Sequence, residues 1–142
     1  MIILDTNVIS ACMRPEQNAK VIAWLDKQPR ESLWTTTVSI FELRYGIECL
    51  IAPDHRAQLE RGWKDIGSAI FQNRILQFDI RAARAAAGIA ATRRKNRRIG
   101  GFQDTFIAGI ALSREATIAT RNLKDFRDAG VPLVDPWKDG AD

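Results

Sequence analysis

The chain opens Met1-Ile2-Ile3-Leu4-Asp5-Thr6-Asn7, and the reading of this stretch decides the fold. Ile2–Leu4 is an unbroken apolar run. A strand with one wet face alternates apolar and polar residues, whereas an unbroken run marks a strand buried on both faces, as in a parallel sheet covered by helices. Polar chemistry begins abruptly at Asp5, where such a strand ends. Ligands of open α/β sheets bind beyond the carboxyl ends of the strands, so Asp5 is the first candidate functional residue. Asp-Thr-Asn equally suits an Asx turn or a helix cap.

The same grammar continues along the chain. Leu33–Thr37, Ile75–Phe78, Thr117–Thr120 and Pro132–Val134 read as further strands. Helical patterns fill the gaps at Ala19–Lys27, Ile40–Leu50, Arg56–Ile70, Arg81–Arg94 and Thr105–Arg114. This alternation predicts an α/β fold with a parallel sheet. Arg81–Arg94 is rich in alanine, the strongest helix former. Ala108, Gly109 and Ala111 are small enough to predict close packing of the last helix. The 142 residues make one domain, 1–142, on a scale of ~100–200 residues per domain. That length buries a core without staples.

Composition excludes several classes. Cys12, Cys49 and the single His55 form no ligand cluster, which argues against a structural zinc site and a disulfide framework. The free thiols fit a reducing, cytoplasmic setting. The first residues carry no basic n-region or apolar h-region, and no apolar run approaches the ~20 residues of a membrane helix. There is no GxxxxGK[ST] and no GxGxxG after a strand, so neither a P-loop nor a standard dinucleotide fold is expected. The four Trp and six Phe are scattered like core residues rather than arranged as a stacking platform. A net charge of +4 permits an anionic partner.

Two more acids fall near strand ends. Glu42 follows the second strand in Thr37-Val38-Ser39-Ile40-Phe41-Glu42, where Ser39 and Glu42 have capping-box spacing. The same geometry puts the Glu42 carboxylate in a first helical turn, on the rim that carries Asp5. Gly46, inside that helix, costs ~1 kcal/mol relative to alanine and suggests a close approach. Asp104 opens the last helix after Gly100-Gly101, where an acid also suits the helix dipole. Three carboxylates on one rim repel and raise one another's pKa unless a cation sits among them. Hard oxygen donors of this kind suit Mg2+ or Mn2+, which can activate water and stabilise charge on a phosphoryl group.

The segment Arg93-Arg94-Lys95-Asn96-Arg97-Arg98 packs five cations into six positions directly before the glycine loop. Cations there complement a helix carboxyl end in a solvated charge run; the alternative reading is a phosphate-binding patch that would hold a phosphodiester beside the proposed metal.

Together these residues resemble the PIN-domain endoribonucleases of the VapC and FitB toxin type. The resemblance rests on MIILDTNVIS at 1–10, VSIFELRYGI at 38–47, GGFQDTFIAGIA at 100–111, ATRNLKDF at 119–126 and VPLVDPW at 131–137. It implies a three-layer α/β/α domain with a parallel sheet of about five strands, and an Mg2+- or Mn2+-dependent hydrolase of RNA phosphodiesters. By motif match Asp5, Glu42 and Asp104 would form the acidic site, with Asn7, Ser39 and Thr120 orienting carboxylates or water. It further implies a homodimer, neutralised by a small cognate antitoxin, with promoter DNA bound only through that complex.

The resemblance departs at Asn122, where many relatives carry a fourth acid. Asn122 is expected to face the metal rim and offer it a carbonyl oxygen. Asp125, at the third position after a cap at Asn122, is expected to serve mainly local structure. Two other readings stay open: a degenerate PIN domain that binds RNA or a partner without catalysis, and a metal-dependent phosphatase. A dehalogenase-type phosphatase needs Asp-x-Asp after the first strand, and here the third position is Asn7. A receiver domain would need Asp79 as its phosphorylated residue, a poor placement.

Overall fold

A computed structural model describes residues 1–98 and 100–139; Ile99 and residues 140–142, part of the single-domain reading, lie outside the described residues. The strands are β1 (Ile2–Leu4), β2 (Leu33–Thr36), β3 (Ile75–Leu76), β4 (Thr117–Ala119) and β5 (Leu133–Val134). They form one parallel sheet in the order β3-β2-β1-β4-β5. The helices are α1 (Thr6–Cys12), α2 (Ala19–Asp26), α3 (Thr37–Glu48), α4 (Pro53–Ile66), α5 (Ile80–Lys95) and α6 (Phe102–Ser113).

The unbroken apolar run of β1 does what its composition requires. Ile3 joins one core with residues of α5 and α6, and Leu4 joins the opposite core with residues of α1 and α2. Ile118 and Ala119 of β4 split the same way. Successive side chains of a strand point to opposite faces, so two covered faces demand apolar residues at every position. The result is three layers, helices on both sides of the sheet. Strand β1 is central and pairs with both β2 and β4. The chain builds β2 and β3 on one side and β4 and β5 on the other, so the order reverses at β1/β4. Such a switch point leaves a crevice at the carboxyl ends of the strands.

The structure corrects four local expectations. Helix α1 follows β1 immediately, with Asp5 as its cap accepting from the Thr6 amide at 2.8 Å. Helix α3 starts at Thr37, capped by the Thr36 hydroxyl, which accepts from the Ser39 amide at 3.0 Å. Ser39 and Glu42 therefore form no capping box, and Glu42 sits in the second turn. Gly46 makes no close approach, because a Cβ there would meet nothing within 4 Å. Helix α4 starts at Pro53 rather than at Arg56, so His55 lies exposed in its first turn.

The small residues of α6 do mark a close approach. A Cβ on Gly109 would fall 2.6 Å from the Ala82 carbonyl oxygen and 2.6 Å from the Ala86 Cβ. Helices α5 and α6 thus touch backbone to backbone, which fixes the entry of α6 and with it Asp104.

Candidate active site

Asp5 stands at the carboxyl end of β1 and is 4% exposed. Its backbone amide donates to the Ala119 carbonyl at 3.0 Å, which holds the β1 end against β4. One carboxylate oxygen accepts from the Thr6 amide. The other accepts from the Thr120 hydroxyl at 2.8 Å and from the Asn7 amide nitrogen at 3.1 Å. Thr120 in turn accepts from the Asn122 amide at 3.0 Å and from Asn7 Nδ2 at 3.3 Å. A hydroxyl has one proton. With backbone and amide donors aimed at its oxygen, that of Thr120 is directed to Asp5. Asn7 Oδ1 accepts from the Arg121 amide at 3.3 Å and completes the brace.

Glu42 comes to the same place from α3. Its carboxylate accepts from the Thr6 hydroxyl at 3.1 Å, so the first residue of α1 serves both acids. Asp104 arrives from the first turn of α6 and accepts no hydrogen bond among the described residues.

The electrostatics tie these acids together. Burial pushes Asp5 up, against the hydrogen bonds from Thr120 and Thr6 that pull it down, and the Asp125 charge pushes it further up. Burial raises Glu42 as well, opposed by Thr6 and reinforced by Asp5 and Asp104. Asp104 is pushed up to about 6 by burial first, then by the like charges of Asp5 and Asp125; only Arg93 opposes. Like charge acts over a longer range than ligation. Among the described residues, no three ligating side chains are drawn tightly enough together to hold one ion as they stand. The donor set fits a hard divalent cation on chemistry: carboxylate oxygens, raised pKa values, and one opposing positive charge.

Asn122 stands just past the end of β4 with its side chain uncommitted: it is exposed, its amide is committed to Thr120, and the side chain makes no hydrogen bond among the described residues. The fourth carboxylate is Asp125, on the 3-10 turn Leu123–Asp125, whose charge reaches both Asp5 and Asp104. A tight turn advances the chain about 2 Å per residue and brings the third residue back toward the cap. Asp125 thus combines its place in that turn, expected from the sequence, with a charge felt by both acids.

Ser39 makes no hydrogen bond to the acids among the described residues. It is fully buried and hydrogen-bonds the Thr36 hydroxyl at 3.0 Å, inside the cap of α3. Asp79, the weak receiver candidate, caps α5 by accepting from the Ala82 amide and pairs with Arg114.

The basic segment divides in two. Arg93 is 4% exposed, ion-paired to Asp128 at 2.8 Å and hydrogen-bonded to Thr105 and the Asp125 carbonyl, so most of its donors are committed inside the protein, although it also lines the cleft described next. Arg98 pairs with Asp128 at 3.0 Å. Arg94, Lys95 and Arg97 are exposed and make no ion pair among the described residues. Arg94 and Arg97 line a cleft of about 540 Å³ that Phe102 and Thr105 also line, beside Asp104.

Two phenylalanines escape the core that the sequence assigned them, and Tyr45 is exposed as well. Phe41 is 55% exposed, Tyr45 62% and Phe102 73%. Phe41 and Phe102 line a second cleft of about 360 Å³, one residue from Glu42 and two from Asp104. Their neighbours in sequence were legible as functional, but exposure on a helix depends on partner helices that composition does not reveal. A third cleft, of about 610 Å³, runs from Thr6, Asn7 and Glu42 between α1 and α3, with Arg121 and Trp137 at its edge.

An α/β/α domain with acids gathered at the carboxyl end of its parallel sheet is the class that fold and site define. Comparison with known proteins makes this specific. The PIN domain model matches residues 2–132, and the chain belongs to that family. The plasmid stability protein StbB of Pseudomonas syringae pv. tomato is 38% identical over 138 residues, 97% of this chain and 99% of that protein. The VapC ribonuclease Y4jK of Sinorhizobium fredii is 32% identical over 138 residues, covering 97% and 99%. Toxin FitB of Neisseria gonorrhoeae is 34% identical over 139 residues, covering 98% and 100%. The crystal structure of FitAcB from the same organism superposes with a TM-score of 0.84 at 33% identity, covering 97% of this chain and 99% of that one.

Proposed function

We propose that the chain is a metal-dependent endoribonuclease and the toxin of a type II toxin–antitoxin pair. The observation that carries this is the gathering of Asp5, Glu42 and Asp104 at one rim, where burial first and like charge second raise all three and push Asp104 to about 6. Acids held in that state are matched to a cation. The relatives named VapC ribonuclease and toxin FitB support the nuclease and toxin roles.

Asp5 and Asp104 would hold Mg2+ or Mn2+ directly, with Glu42 and Asp125 completing the carboxylate set. The ion would supply an activated water and neutralise charge on the phosphoryl oxygens. The chain's own residues do the positioning. Thr120, Asn7 and Thr6 fix the Asp5 and Glu42 carboxylates. Arg94 and Arg97 would hold RNA phosphates along the cleft near Asp104, with Lys95 between them in the chain. As a toxin it would pair with a small antitoxin, act as a homodimer, and meet promoter DNA only in the antitoxin complex. The likeness to FitAcB over nearly the whole chain supports the partner.

The test is cleavage of end-labelled RNA with Mg2+ or Mn2+, with EDTA, and with Asp5→Asn. Intact RNA in the presence of metal, or equal cleavage by the variant, overturns the nuclease reading. A binding module without catalysis would retain RNA affinity and cut nothing.

A further inference from the structure

Arg93 is the one cation of the 93–98 segment that the fold has taken inside. A buried guanidinium costs several kcal/mol unless its donors are filled. Here Nε and Nη2 grip the two oxygens of Asp128 at 3.0 and 2.8 Å. Nη2 also donates to the Asp125 carbonyl at 2.7 Å, and Nη1 donates to the Thr105 hydroxyl at 2.8 Å. Thr105 passes its own proton to the Gly101 carbonyl at 3.1 Å. One planar group on α5 therefore grips the first turn of α6 and the turn after β4. Thr105 is the residue after Asp104, and Asp125 is the fourth acid itself. Gly100 leaves room for the fork, since a Cβ there would lie 2.9 Å from Nη1.

We propose that Arg93 is a positioning residue whose fork sets the separation of the Asp104 and Asp125 segments, and so the capacity of the rim to hold a divalent cation. It rests on the metal-dependent reading above. It assigns Arg93 a role distinct from phosphate binding, and one that depends on the shape of the guanidinium rather than on its charge. Lysine keeps the charge and loses the fork.

The test uses the full chain. Mn2+ affinity is measured by calorimetry for wild type, Arg93→Lys and Asp128→Asn, with thermal melts as a fold control. Affinity for an RNA oligonucleotide in EDTA is measured by fluorescence anisotropy. Arg93→Lys should weaken Mn2+ binding about 10–100-fold, the usual loss on removing a group that orients ligands, while RNA affinity stays within about twofold. Asp128→Asn should move Mn2+ affinity the same way by less, and it carries the test if Arg93→Lys does not fold. Unchanged Mn2+ affinity in a folded variant overturns the inference. So does a loss of RNA affinity with Mn2+ binding intact, which would make Arg93 a phosphate ligand. Wild type that binds no Mn2+ overturns the metal reading itself, and the inference with it; wild-type binding with indifferent variants sinks only the inference.

Discussion

Thr120 donates its hydroxyl proton to Asp5 across 2.8 Å and thereby joins the ends of β4 and β1 at the switch point of the sheet. The two residues are 115 positions apart in sequence, so the bond exists only once the sheet has closed. It lowers the pKa of Asp5 against the burial that raises it.

Thr120→Val keeps the shape and removes that proton. The Asp5 carboxyl should rise further, and cleavage in Mn2+ should fall about 10–100-fold, with the fold retained. Single-turnover cleavage alongside a thermal melt checks this; a folded variant with wild-type rates refutes the brace.

Asp104 gives a pH signature. Its folded pKa of about 6 lies above the ordinary 3.8, so between those values the folded chain binds more protons than the unfolded one. Stability of the metal-free protein should therefore fall as pH rises from about 4 to about 6. Asp5 and Glu42 shift in the same direction. Added Mn2+ should reverse the trend, stabilising more at about pH 7 than at about pH 5, because only ionised carboxylates bind it. Melts at both pH values, with and without Mn2+, for wild type and Asp104→Asn, decide it. A pH trend identical in the two proteins would remove Asp104 as a contributor.

Gly109→Ala should destabilise the packing of α6 on α5 and, through it, the placement of Asp104. Its Cβ would strike backbone of α5 at 2.6 Å, and overpacking of this kind costs about 1–3 kcal/mol. Urea titration reads the change, and a variant as stable as wild type would show that α5 and α6 separate at little cost.

Arg94→Gln with Arg97→Gln should weaken RNA binding at all sequences alike. If both contact phosphates, the slope of log affinity against log salt should shrink by about 1.4, at about 0.7 per single-strand contact. Anisotropy over a salt series measures it, and an unchanged slope would move the substrate path away from the 540 Å³ cleft.

The frame of the fold was legible because burial on both faces writes itself as unbroken apolar runs. Ile2–Leu4 and Leu133–Val134 emerge where the runs lie, give or take one residue. Helix α1 was not legible: seven residues hold too few turns to display a period. Likewise the start of α3 turned on whether Thr36 or Ser39 caps it, and both are competent side chains. Among the candidate site residues, the proximity of Asp5, Glu42 and Asp104 could be read from strand ends, which order polar residues in space. Asp125 could not, because its reach depends on the curl of a 3-10 turn. The part played by Arg93 is hidden for a related reason. Five cations in a row look alike until the helix axis assigns one of them to the interior, beside an acid 35 residues away.

Asp5 is at once the cap of α1 and a member of the acidic rim. Asparagine caps about as well as aspartate, whereas alanine or valine does not. Selection for harmless alleles would therefore find two kinds of lesion at this one codon. Asp5→Asn alleles would yield an inert chain that accumulates and still engages its partners. Alleles with an apolar residue would lose the first helix together with the chemistry, and would vanish by degradation instead.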